Sequence, residues 1–148
     1  CKDDGMIRKL READIAAVAG LWLDTNLKAH GFVPAEYWRS NYEPVKAMLP
    51  EAEVYVYENA GETAAFIGMN GEYIEGIFVS DKMQSRGIGK LLLDHVKAKK
   101  DVLRLNVYQK NERAVRFYKR EGFEICDVGT DEATGEKDYT MIWRRTQP

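Results

Sequence analysis

Apolar and polar positions change period several times along the chain, and each change marks an element. Residues 6–11 (MIRKLR) alternate and predict a short strand. Ile15, Val18, Trp22 and Leu23 then recur at helical spacing behind Asp14, whose carboxylate is suited to cap a helix that runs to about Gly31. Residues 34–49 predict a second helix, opened by Pro34 and disturbed by Pro44. EVYVYE (53–58), the turn NAGE and TAAFIGMNG (63–71) read as a hairpin, and EYIEGIFVS (72–80) as a further strand with Gly76 as a candidate bulge. A helix to about Lys99 follows, with Ile88, Leu91, Leu92 and Val96 as its buried stripe. VLRLNVY (102–108) alternates again. Asn111 opens a helix carrying Ala114, Val115, Phe117 and Tyr118, and Gly122, which tolerates a left-handed backbone, closes it. FEICDVGT and KDYTMIWRR form a last hairpin around DEATGE. The order β-α-α-β-β-β-α-β-α-β-β predicts one α/β domain over residues 6–146, built on a mixed, mostly antiparallel central sheet flanked by helices.

Composition narrows the function. A net charge of −2 argues against a general nucleic-acid binder, which would carry a basic excess. No apolar run approaches the roughly 18 residues of a membrane span, and the N-terminus has no signal-peptide core. Cys1 and Cys126 have neither metal-ligand spacing nor a disulfide framework, so a reducing cytoplasm without a bound metal is the expected setting. Met6 reads as a natural start, with residues 1–5 a disordered or added leader.

The chemistry concentrates in QSRGIGKLLL (84–93). Glycines at a helix start cost conformational entropy and add no packing, so they point to a close approach between bare backbone and a partner. Unsatisfied N–H groups and the helix dipole make such a turn an anion site, and Arg86 and Lys90 add full charges. Two nucleotide motifs fail on spacing. A Walker A loop needs a glycine where Gln84 stands and a hydroxyl where Leu91 stands, and a dinucleotide fingerprint needs a third glycine at Leu92.

What remains is Gln84-x-x-Gly87-x-Gly89 behind an apolar strand, joined downstream by NERAVRFYKREGF (111–123). Together they resemble the GNAT family of acetyl-CoA-dependent N-acetyltransferases, and the element order agrees from Met6 to Trp143. Ser85 and Asp81 stand where the family often has glycine and proline. The resemblance implies a sheet splayed between its fourth and fifth strands and a diphosphate cradled by the backbone of Arg86, Gly87, Ile88, Gly89 and Lys90. Gln84 and Ser85 would support that loop. Main chain of Ile77, Phe78 and Val79 would pair with the pantetheine arm, and Asn111, Arg113, Ala114, Phe117 and Tyr118 would line the same arm.

By the same resemblance Tyr118 would donate to the departing sulfur. A phenol near pKa 10 is uphill of a thiol near 8.5 by about 1.5 units, so a modest lowering would match the two. The acceptor side needs a base, because an amine with pKa near 10.4 is neutral only about once in 10³ molecules at neutral pH, roughly 4–5 kcal/mol of barrier. Glu75, on the strand beside the acetyl position, is the leading candidate and His30 the other. His30, Phe32, Trp38, Glu75 and Tyr139 are the expected acceptor-site residues. His95 reads as structural, and Cys126, on a late strand with no partner to activate it, is not expected to carry an acetyl group. The expected acceptor is a primary amine on a small molecule, peptide or protein, which attacks acetyl-CoA directly in a ternary complex, and the expected oligomeric state is a monomer or homodimer. A non-catalytic acyl-CoA-binding regulatory module is the alternative.

Overall fold

Continuous burial through EVYVYE and TAAFIG, covered on both faces, builds the centre of the molecule. The computed structural model describes residues 5–84 and 86–145. Strands β1 (Met6–Lys9), β2 (Glu53–Asn59), β3 (Glu62–Asn70), β4 (Tyr73–Val79), β5 (Val102–Tyr108), β6 (Glu124–Thr130) and β7 (Lys137–Arg144) form one sheet in the order β1-β2-β3-β4-β5-β7-β6. Every neighbouring pair is antiparallel except β4 and β5. Helices α1 (Ile15–Ala29), α2 (Ala35–Ser40) and α3 (Tyr42–Met48) come from the first third of the chain, and α4 (Ile88–Lys97) and α5 (Glu112–Arg120) from the second half.

Because side chains alternate, the central strands β2, β3 and β4 feed two cores. Tyr55, Tyr57, Ile67, Ile74, Leu103, Leu105 and Met141 pack with Leu92, Leu93 and Val96 of α4 and with Val115 and Tyr118 of α5. Val54, Val56 and Phe66 face the other way, onto Val18 and Ala19 of α1. Burying a side chain of this size contributes about 1.5–3 kcal/mol. The α4 stripe differs from expectation at one position: Leu91 is exposed and Leu93 is buried.

Two N-terminal expectations are corrected. Asp14 precedes α1 but does not cap it. Its carboxylate instead accepts from Arg8 at 2.7 and 3.0 Å and from the Arg11 backbone N–H at 2.7 Å. Arg8, bonded also to Glu58, holds that carboxyl below the usual carboxylate range. Residues 34–49 form two helices rather than one. The break falls at Asn41, whose Nδ2 donates to Tyr37 O at 2.7 Å. Pro44 lies in the first turn of α3, where a missing N–H costs nothing.

The β2–β3 turn is a two-residue connection in which both Ala60 (φ 54°) and Gly61 (φ 79°) are left-handed. That is the type I′ pattern, and alanine is strained there. Ala60→Asn is expected to raise stability by about 0.5–1 kcal/mol, read as a higher urea midpoint at unchanged slope.

Candidate active site

The site begins where β4 and β5 stop pairing. Their parallel ladder comprises only Tyr73↔Arg104 and Ile74↔Leu105. On the other edge of β4 the register with β3 shifts: Met69 faces Ile74 and Gly68 faces Gly76, so Glu75 has no residue opposite it. This is the bulge expected near Gly76, and it bends β4 away from β5. Past it, Ile77, Phe78 and Val79 pair with β3 on one side and have no strand on the other. The splay therefore leaves an open strand edge facing a gap.

At the end of that edge lies the glycine turn. Gly87 is left-handed (φ 78°) and precedes α4. The first helical bond runs from Leu91 N to Gly87 O at 3.1 Å, so the N–H groups ahead of it have no helical acceptor. Gly89 sits where three elements converge: a Cβ there would meet Phe117 Cζ at 3.4 Å and Ile77 Cγ2 at 4.0 Å. Gln84 ties the turn down, donating to Val79 O at 3.1 Å and accepting from Arg113 at 2.9 Å. Ser85 lies outside the described residues. Arg86 is exposed. Lys90 adds less charge to the turn than expected, because it pairs with Glu121 at 3.0 Å and Asp94 at 3.5 Å.

On the α4/α5 face of the gap, Tyr118 is 7% exposed and packs edge-on against Phe117 and Phe123. Its hydroxyl makes no hydrogen bond within the described residues. Burial, and to a lesser degree Tyr73, pushes the phenol above its usual range, so the phenol is not matched to the departing thiol. Phe117 packs against the same core, and Ala114 lies beside it.

On the α1 face, Glu75 shares its side with Gly68, is exposed, and has no ion pair within the described residues. Next to it Tyr73 donates to Asn106 Oδ1 at 2.9 Å, and Asn106 donates to Thr140 at 3.1 Å. His30, at the end of α1, stacks on Trp38 at 5.4 Å and meets Phe32 and Tyr108 edge-on at 5.6 and 5.0 Å. Tyr108 in turn donates to Asp131, in the turn between β6 and β7, at 2.6 Å. His30 Nε2 lies 3.1 Å from Asn111 Nδ2, and burial pushes the ring down to about 4, so it is neutral at physiological pH.

Asn111 caps α5 as expected, Oδ1 accepting from Ala114 N at 3.2 Å. His30, Phe32 and Trp38 are thus gathered on one wall, with Glu75 on the same side of the sheet. Tyr139 is not among them: it pairs with Val107 and packs into the core under α4 and α5. Tyr73, Tyr108 and Asp131 escaped the sequence reading, since each owes its position to a partner at least 23 residues away.

A sheet opened between two parallel strands, beside a helix N-terminus, defines a class: a fold that grips an extended acyl carrier with an anionic tail. A model of the acetyltransferase (GNAT) domain matches residues 26–144. Over 140 residues the chain is 36% identical to the peptidyl-lysine N-acetyltransferase YiaC of Escherichia coli strain K12, covering 93% of this chain and 96% of that one. It resembles the solution structure of apo-form YjaB from Escherichia coli with a TM-score of 0.84 and 25% identity, covering 94% of this chain and 97% of that one. The PaiA N-acetyltransferase of Thermoplasma acidophilum, solved in complex with coenzyme A, shares the fold at a TM-score of 0.80 and 20% identity, over 95% and 99% of the two chains. The chain belongs to the GNAT acetyltransferase family and is an acetyl-CoA-dependent N-acetyltransferase.

The residues fit that donor. The open edge of β4 offers main-chain groups to an amide-bearing arm, and the bare N–H groups before Leu91 offer themselves to a diphosphate. Among the described residues no helix is long and apolar enough to cross a membrane.

Proposed function

We propose that the protein acetylates the side-chain amine of lysine within a peptide or protein, by direct attack while both substrates are bound. The bulge at Glu75 carries this reading, since it leaves beside the gap a carboxylate with no ion pair among the described residues, while Tyr118 packs in the core on the opposite face of the sheet. Two further features support a cationic acceptor. Asp131 and Asp138 lie on the Glu75 side of the sheet, and Asp138 is pushed up by burial and by the like charges of Asp131 and Asp127. A lysine ammonium relieves that repulsion. Relatives named peptidyl-lysine N-acetyltransferases, one of them 36% identical, support the same acceptor.

Bound acetyl-CoA supplies an acetyl group activated as a thioester. Backbone N–H groups of residues 86–90 hold its diphosphate, with Gln84 bracing the turn. Ile77, Phe78 and Val79 hold the arm through main chain, and Asn111 borders it. Glu75 takes one proton from the lysine ammonium, directly or through one water, so that the lone pair attacks the acetyl carbon, and as the C–S bond breaks the second nitrogen proton passes to the departing thiolate or to water. Tyr118 donates a hydrogen bond from Oη to the departing sulfur. With its phenol raised, the proton stays on oxygen, and the residue stabilises negative charge without giving the proton away.

Thiol release with acetyl-CoA tests the acceptor against four amines: an N-blocked lysine peptide, a lysine-free peptide with a free N-terminus, spermidine and a small monoamine. The lysine peptide is expected to turn over at least about tenfold faster than the others. A faster α-amine or spermidine reaction would replace the lysine assignment.

A further inference from the structure

We propose that His30 is a positioning residue: as the neutral tautomer protonated at Nδ1, it holds the Asn111 side chain and ties the end of α1 to the start of α5. The inference rests on the proposed role of Asn111 in bordering the acetyl-CoA arm.

A relay of four hydrogen bonds carries it. Asn26 Nδ2 donates to Trp22 O at 2.9 Å, His30 Nδ1 lies 3.0 Å from Asn26 Oδ1, Asn111 Nδ2 lies 3.1 Å from His30 Nε2, and Ala114 N donates to Asn111 Oδ1 at 3.2 Å. Backbone groups fix the polarity at both ends. A carbonyl only accepts, so Asn26 presents its amide nitrogen to Trp22 and its oxygen to His30. A backbone N–H only donates, so Asn111 presents its oxygen to Ala114 and its nitrogen to His30. The ring between them must donate at Nδ1 and accept at Nε2. An imidazolium would set N–H against N–H at Asn111.

The surroundings hold the ring in this state. Asn26 is 4% exposed, and Trp38, Phe32 and Tyr108 enclose the imidazole. Of these neighbours only Tyr108 is titratable, and burial with its bond to Asp131 holds it protonated above the usual phenol range. Nε2, the nitrogen a general base would use, is already occupied. What the ring does is keep Asn111 in one rotamer, both of its polar ends engaged, at the point where the acceptor wall meets the acetyl-CoA side.

Three readouts test this. In a ¹⁵N-correlated spectrum of the wild-type protein at pH 7, His30 is expected to show a protonated Nδ1 and a bare Nε2. His30→Leu, which has no acceptor, is expected to raise KM for acetyl-CoA about tenfold with kcat within about threefold. His30→Gln, whose carbonyl can accept from Asn111, is expected to recover most of that KM. A spectrum with Nε2 protonated, or an imidazolium at pH 7, overturns the relay. Loss of kcat in both variants, with the acid limb of the rate profile flattened, makes the ring a base and overturns the positioning role. The spectrum needs no turnover, and calorimetric acetyl-CoA affinities of wild type and variants read the same split without an acceptor. Failure of the lysine assignment therefore leaves this test intact, while equal affinity in wild type and His30→Leu overturns the link to acetyl-CoA.

Discussion

Tyr118→Phe is expected to lower kcat about 10²-fold and leave KM for acetyl-CoA within about twofold, the cost of removing one preorganised donor from a developing negative charge. The phenyl ring keeps the edge contacts with Phe117 and Phe123, so the core around α5 is retained and only Oη is lost. Burial and the neighbouring Tyr73 raise the phenol, so it remains protonated throughout the accessible pH range and accounts for no limb of the rate profile below about pH 10. Thiol-release kinetics at saturating acceptor measure the effect. A phenylalanine variant as fast as wild type removes Tyr118 from the chemistry.

Glu75→Gln is expected to lower kcat/KM for a lysine peptide about 10²-fold at pH 7, and the deficit is expected to shrink as pH rises toward 10. The reason is the acceptor's own titration. At neutral pH its amine is neutral about once in 10³ molecules, and a base offsets that penalty, whereas near pH 10 the amine loses its proton unaided. The pH dependence separates two roles for the carboxylate. A deficit that narrows with pH belongs to a proton acceptor. A deficit that stays constant across the range, appearing mainly in KM for the peptide, belongs to a residue that only attracts the ammonium. The variant is isosteric and the side chain is exposed without an ion-pair partner among the described residues, so little change in stability accompanies it.

Much of the donor side was legible in the sequence because it is local. Gly87, Gly89 and Gln84 lie within six consecutive residues, and Asn111 caps the helix it begins. The bulge was legible too, since a glycine in the middle of an apolar strand weakens the strand unless the backbone departs from regular pairing there, as it does beside Gly76. The acceptor side was less so. Tyr108 and Asp131 meet through a fold-back of the β6–β7 turn, which no periodicity encodes. Tyr139 was assigned to the wrong side because the face of a strand residue depends on register, and the register of β7 is set by β5. Asp14 looked like a cap because its partner, the Arg8 guanidinium, is also held by Glu58 fifty residues along the chain, which local rules do not see. Tyr118's position was readable from its motif, but its raised pKa was not, since that follows from how completely α5 and its neighbours cover it.

The residues around the gap stand on two kinds of support. Glu75 and Tyr118 stand on a strand and a packed helix, whereas His30, Phe32 and Asp131 sit on connections between elements. Connections accept insertions and exchanges that ladders and cores do not. A lineage is thus free to retarget the enzyme to a new amine by editing residues 31–34 and 131–136, while His30 and the elements that carry Glu75 and Tyr118 stay as they are.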